Sequence, residues 1–70
     1  MSDILIVDDD QDVLEMLDEM VTRMGHHPET SSTLKEARQR LLSHDYDVIF
    51  LDVRLTDGNG LDILPLIKEM

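Results

Sequence analysis

Ile4-Leu5-Ile6-Val7-Asp8-Asp9-Asp10 and Val48-Ile49-Phe50-Leu51-Asp52 decide the fold. Each is a short apolar run that ends in acid. A run of four apolar residues with no polar alternation predicts a strand covered on both faces, the kind found in parallel sheets. If two such strands lie side by side and parallel, their carboxyl ends meet, and Asp8, Asp9 and Asp52 meet with them. That edge is where open α/β sheets carry ligand sites. Three carboxylates in one crevice repel each other unless a cation or a proton intervenes, so the arrangement calls for a metal.

The segments around these runs have their own patterns. Residues 3–8 are the first strand. Over 11–24, Val13, Leu14, Met16, Leu17, Met20, Val21 and Met24 recur at three-four spacing, which predicts a helix with one apolar face and the methionines packed in the core. Asp10 or Gln11 begins that helix, and Gly25 stops it. His26-His27-Pro28-Glu29-Thr30 reads as a second strand, with Pro28 favouring a sheet edge because it cannot donate to a ladder. Thr33-Leu34-Lys35-Glu36 has the capping-box pattern, and Leu34, Ala37, Leu41 and Leu42 supply the apolar face of a second helix. Asp47 to Asp52 is the third strand. Thr56-Asp57-Gly58-Asn59-Gly60 is a turn with two glycines able to take positive φ, and Asp57 shapes it. Leu61 to Met70 is a third helical segment, in which Pro65 is awkward if the helix begins at Gly60; Asp62 marks its start.

Composition narrows the function. Seventy residues make at most one small domain, which buries only roughly 60% of its unfolded surface. Sixteen acids against six bases give a formal net charge of −10. That balance argues against contact with nucleic acid or anionic membrane by these residues, since phosphates need Lys and Arg. There is no cysteine, so disulfides are impossible and a reducing, cytoplasmic setting fits. The first strand begins by residue 3 or 4, with no basic stretch and long apolar core before it, and no run is long enough to predict a transmembrane helix. His26, His27 and His44 lack paired ligand spacing and read as surface residues, not a zinc site.

Strand and helix alternate three times, which predicts a parallel sheet with right-handed crossovers. The pattern stops where a fourth strand would follow. The apolar strand ending in Asp8-Asp9, the strand Asp47-Val48-Ile49-Phe50-Leu51-Asp52, and the following Leu55 with Asn59-Gly60 together resemble the receiver domain of two-component response regulators. The resemblance runs through the whole chain in order and spacing, including the 43 residues from Asp9 to Asp52. It implies a flavodoxin-like α/β sheet with strand order 2-1-3-4-5. Residues 1–70 are then expected to be a partial receiver domain, truncated after the third strand and third helix.

The resemblance also implies roles. Asp52 takes the place of the aspartate that accepts a phosphoryl group from a sensor histidine kinase. Asp8 and Asp9 take the place of the acid pair that holds Mg²⁺ together with Asp52, and Arg54 is the residue whose backbone carbonyl joins the metal. A hard, oxygen-seeking cation suits carboxylates, and phosphoryl transfer needs positioning and charge neutralisation more than covalent help. Phosphorylation would control an output domain beyond Met70 or a partner protein. With the third strand left as an apolar edge, a dimer or larger assembly is expected.

The chain departs from the family pattern in two ways. Thr56 stands where many receivers have proline. The hydroxyl residue after strand four and the lysine after strand five have no counterparts, since Lys35 and Lys68 lie in helical segments, so weak phosphate acceptance is expected. Other readings stay open at individual residues. Asp8 and Asp9 also suit helix-capping acids, and Asp10 reads as a cap or a solvated acid. Asp52-Val53-Arg54-Leu55-Thr56 resembles the D-x-D-x-T signature of haloacid-dehalogenase-type phosphotransferases, with Arg54 replacing the second aspartate, their general acid. A structural interaction module without phosphorylation is a third reading.

Overall fold

The computed structural model describes residues 2–52, 54–63 and 65. Three strands form a parallel sheet: β1 (Asp3–Val7), β2 (His27–Ser31) and β3 (Val48–Leu51), in the order β2-β1-β3. Two helices connect them, α1 (Gln11–Arg23) and α2 (Leu34–Ser43). The expected elements occur with ends moved by a residue or so. Pro28 lies on the edge strand, where its missing donor costs nothing.

Register explains the layers. Ile4 pairs with Val48 and Ile6 with Phe50, while Leu5 pairs with Ile49 and Val7 with Leu51. Side chains alternate between faces along a strand, so each set shares a face. Ile4 and Ile6 pack with Leu14 and Val21 of α1 and with half-buried Leu17. Leu5 and Val7 pack with Leu34, Ala37 and Leu41 of α2 and with Leu55 and Ile63. β1 is therefore covered on both faces, as its composition predicts. β3 is not: Val48 and Phe50 are 42% and 44% exposed, because α1 lies over β1 and β2.

The methionine stripe is the clearest correction. Met16, Met20 and Met24 are more than half exposed, not core residues. One residue every 100° places Leu14, Leu17 and Val21 within about 60° of arc, with Met20 about 60° and Met16 about 100° beyond Leu17. The apolar arc of α1 is wider than the strip of sheet beneath it. Leu42 is likewise exposed, next to buried Leu41.

The caps agree with the sequence in kind. Asp10 is the N-cap of α1, its side chain accepting from Asp12 N. Thr33 caps α2, with Oγ1 accepting from Glu36 N at 3.2 Å. The return half of the capping box is displaced by one residue: Glu36 accepts from Ser32 N and Ser32 Oγ, not from Thr33 N. Gly25 ends α1 with φ of 85°.

After β3 the expected turn is a small antiparallel hairpin, β4 (Arg54–Leu55) with β5 (Gly58–Asn59), and Thr56 and Asp57 form its two-residue loop. Gly58 has φ of 151°, whereas Gly60 has no positive φ. Gly60 is required for another reason: a Cβ there would run into the carbonyl oxygen of Asp52. Gly60–Ile63 forms a 3₁₀ turn in place of the expected helix start, and the remainder of the expected third helix lies almost entirely outside the described residues.

Candidate functional site

The ladder itself places the acids. Asp8 N donates to Ser31 O at 3.1 Å, and Asp52 N donates to Val7 O at 2.8 Å. Both aspartates are thus held by the last rungs of the two parallel pairings, at the carboxyl edge of the sheet. The sheet order reverses between β1 and β3, the switch point where such sheets open a crevice. Asp8, Asp9 and Asp52 each offer a carboxylate oxygen there, all within 4.8 Å of one another. Asp8 and Asp52 are half-buried and Asp9 is exposed. A trough of about 340 Å³, lined by Leu17, Phe50 and Leu51 among others, runs up to Asp8 and Asp52.

Each carboxylate has a local tether. Asp8 Oδ1 accepts from Asp10 N at 2.9 Å, Asp9 Oδ2 from Thr56 Oγ1 at 3.3 Å, and Asp52 Oδ1 from Arg54 N at 3.0 Å. The capping role falls on Asp10, leaving Asp8 and Asp9 to the cluster. Among the described residues, no ion pair neutralises any of the three. Two unit charges this close repel by roughly 1 kcal/mol in water and about 3 kcal/mol at an effective dielectric of 20. The donor set is all oxygen and anionic, which suits a hard divalent cation and not a soft one.

Two residues at this site were not assigned roles in it from sequence. Thr56, noted only as a departure from proline, donates its hydroxyl to Asp9. Asp57 lies in the turn, as read, and in addition reaches α2, accepting from Leu34 N at 2.8 Å and Lys35 N at 3.2 Å. The first of those bonds is the main reason its carboxyl is held below the ordinary carboxylate range.

The histidines lie elsewhere. At the opposite edge, His27 and His44 flank Asp3 at 3.4 and 3.3 Å, and His26 Nδ1 accepts from Ser2 N. The three aspartates are the only group of metal-ligating type among the described residues.

A parallel sheet of order 2-1-3, with an acid crevice at its switch point, defines a doubly wound α/β protein of the flavodoxin-like kind. Residues 4–70 match the response regulator receiver domain, and the chain belongs to that family. It is 38% identical over 65 residues to the response regulator protein PilR of Pseudomonas aeruginosa, covering 93% of this chain and 15% of PilR. It is 39% identical over 70 residues to the response regulator SaeR of Staphylococcus aureus, covering the whole chain and 29% of SaeR. The crystal structure of the response regulator TrrA of Thermotoga maritima, in complex with Mg(2+)-BeF, superposes with a TM-score of 0.89 at 30% identity, covering 99% of this chain and 60% of TrrA. The chain therefore spans under a third of these curated relatives and three-fifths of the TrrA chain.

Receivers are signalling domains of two-component systems, not classical enzymes. The assignment displaces the haloacid-dehalogenase alternative, which left Asp8 and Asp9 without a role; both fall into the cluster with Asp52. Among the described residues, no helix is long and apolar enough to cross a membrane.

Proposed function

We propose that in the cytoplasm Asp52 accepts a phosphoryl group from the phosphohistidine of a sensor histidine kinase. Mg²⁺ is held by Asp8, Asp9, Asp52 and the backbone carbonyl of Arg54, and the modified site controls an output domain or partner protein. The observation that carries this reading is the convergence of Asp8, Asp9 and Asp52 within 4.8 Å at the switch point. The complex of TrrA with Mg(2+)-BeF supports the same chemistry in a relative.

The residues divide the work. Arg54 N holds Asp52 Oδ1, and the other carboxylate oxygen attacks phosphorus. The new P–O bond forms as the P–N bond to the kinase histidine breaks; that bond's electron pair stays on the ring nitrogen, and the ring, already protonated on its other nitrogen, leaves as neutral imidazole. Asp8 and Asp9 would serve as metal ligands. Mg²⁺, when bound, offsets the charge of these acids and of the phosphoryl oxygens. Acceptance by these 70 residues is slow, since the hydroxyl and lysine of the family pattern have no counterpart among them. Loss of one positioned charge stabiliser costs roughly 10²–10³ in rate.

Incubation with phosphoramidate and Mg²⁺, followed by intact-mass measurement, tests the proposal. The parent chain gains one phosphoryl group and Asp52→Asn gains none; equal gain by both rules out Asp52 as the acceptor.

Copies of the chain also associate through β3. Among the described residues its outer edge has no strand beside it, and Val48 and Phe50 are exposed on the α1 face of the sheet next to that edge. Unpaired edges and apolar patches of this kind favour pairing with another chain.

A further inference from the structure

A helix begins with four backbone N–H groups that have no partner inside it. In α2 the three that follow Thr33 all have acceptors. The third, Glu36 N, donates to Thr33 Oγ1, which is ordinary capping, and the helix's own ladder starts with Ala37 N donating to Thr33 O. The first two, Leu34 N and Lys35 N, donate to the two oxygens of Asp57, a residue more than 20 positions away in the β4–β5 loop. The cap of α2 is therefore supplied jointly by its own N-cap and by the hairpin that follows the acceptor strand.

That hairpin cannot hold its shape alone, because strands of two residues are far below the length that is stable in isolation. Its position is set by contacts on two sides. On one side are Asp57 on α2, buried Leu55 in the α2 core, and Gly58, whose α-carbon lies so near Leu34 that a Cβ would meet Leu34 Cδ1 at 2.7 Å. On the other side are Arg54, whose N–H holds Asp52 Oδ1, and Thr56, whose hydroxyl reaches Asp9. One short piece of chain thus joins the amino end of α2 to two of the three clustered carboxylates.

We infer that Asp57 is a positioning residue for the acid site: by clamping the hairpin to the amino end of α2, it sets where Arg54 and Asp52 stand relative to Asp8 and Asp9. The inference rests on the reading of this cluster as a Mg²⁺ site. The charge is well placed for the clamp, since a carboxylate at a helix amino end is favoured by the dipole and by two charge-assisted bonds. Coupling of this kind is reciprocal. If the clamp improves metal binding by some factor, metal binding must tighten the clamp by the same factor.

The test compares Mg²⁺ titrations, followed by NMR, of the parent, Asp57→Ala, Asp57→Asn and Thr33→Ala. Thr33→Ala removes the other half of the same cap without touching the hairpin. Asp57→Ala is expected to weaken Mg²⁺ binding about 3- to 10-fold, a coupling of ordinary size. Asp57→Asn, which keeps one acceptor oxygen, recovers most of that loss, and Thr33→Ala stays within about twofold of the parent. Amide exchange supplies a readout in the unaltered chain: Mg²⁺ should slow exchange at Leu34 and Lys35. The inference is overturned if both Asp57 variants bind Mg²⁺ like the parent, if Thr33→Ala loses as much as Asp57→Ala, or if exchange at Leu34 and Lys35 ignores Mg²⁺. A parent chain that binds no Mg²⁺ overturns the metal-site reading itself, and the inference with it.

Discussion

Replacing Gly60 by alanine should damage the acid site through backbone contact alone. Gly60 is buried and has no positive φ, so alanine meets no torsional penalty there. The added Cβ collides with the carbonyl oxygen of Asp52 and lies 3.0 and 3.2 Å from Leu51 Cδ1 and Cγ. A side-chain end could swing away, but a peptide carbonyl cannot. The hairpin and the acceptor must move apart. Overpacking of this sort costs about 1–3 kcal/mol, and the reduced freedom of the unfolded chain returns about 0.4–1 kcal/mol. The net loss, about 1–2 kcal/mol, corresponds to a fall in Tm of roughly 4–16 °C for a chain of this size. Displacing a reacting group by about 1 Å can cost 10²-fold in rate, so a partial displacement of Asp52 should slow phosphorylation at least ~10-fold. Gly25→Ala is the control. Gly25 has φ of 85° and open space for 4 Å around the point where a methyl would sit, so its replacement strains the backbone far from the acids. Thermal unfolding by circular dichroism and phosphoramidate time courses separate the two variants. Gly60→Ala with parental Tm and rate would refute the contact argument. A rate loss equal to that of Gly25→Ala would refute its link to the acceptor.

Three further outcomes are expected. Tyr46, the single tyrosine of the chain, is pushed up to about 12 by burial and then by its hydrogen bond to Glu29. The folded state then keeps that proton longer than the unfolded one, so stability falls as pH rises from about 10 toward 12; ultraviolet titration should place the phenol near the upper value, Glu29→Gln should lower it, and a midpoint indifferent to Glu29 would contradict this. The carboxyl of Asp57 is held low mainly by Leu34 N–H, so its contribution to stability is present above about pH 4 and lost as pH falls through its depressed value; Asp57→Ala should flatten the acid-unfolding curve, and an unchanged curve would show that the cap does not contribute. Phe50→Lys should move the chain toward monomer in light scattering by charging the exposed side of β3, and an unchanged mass would show that copies do not meet there.

The acid site was legible because it depends on local patterns. Two uninterrupted apolar runs specify parallel strands, and an acid immediately after each run must lie at the carboxyl edge. Asp10 was legible as a cap for the same reason. The methionine stripe misled because periodicity gives the direction of an apolar arc but not the width of the surface that will cover it. Gly60 was noticed for conformational freedom, whereas its role is steric and depends on where Asp52 O falls in space. Asp57 was the least legible. A cap supplied from more than 20 residues away leaves no spacing pattern, and a Thr-Asp-Gly turn already accounts for the aspartate. The shift of Glu36 from Thr33 to Ser32 is of the same kind, since the capping-box spacing fits both partners until geometry selects one.

β1 lies at the centre of the sheet although it comes first in the chain. Its residues Ile4 to Val7 are at most 5% exposed in the finished fold, yet Val48 to Leu51, which close its second edge, are made about 40 residues later. At 5–20 residues per second that interval is roughly 2–8 s of synthesis. α1 can cover one face of the strand early, but Leu5 and Val7 wait for α2, and the open edge waits longer still. The segment most deeply enclosed at the end is thus one whose apolar residues stay uncovered through most of the synthesis of these strands.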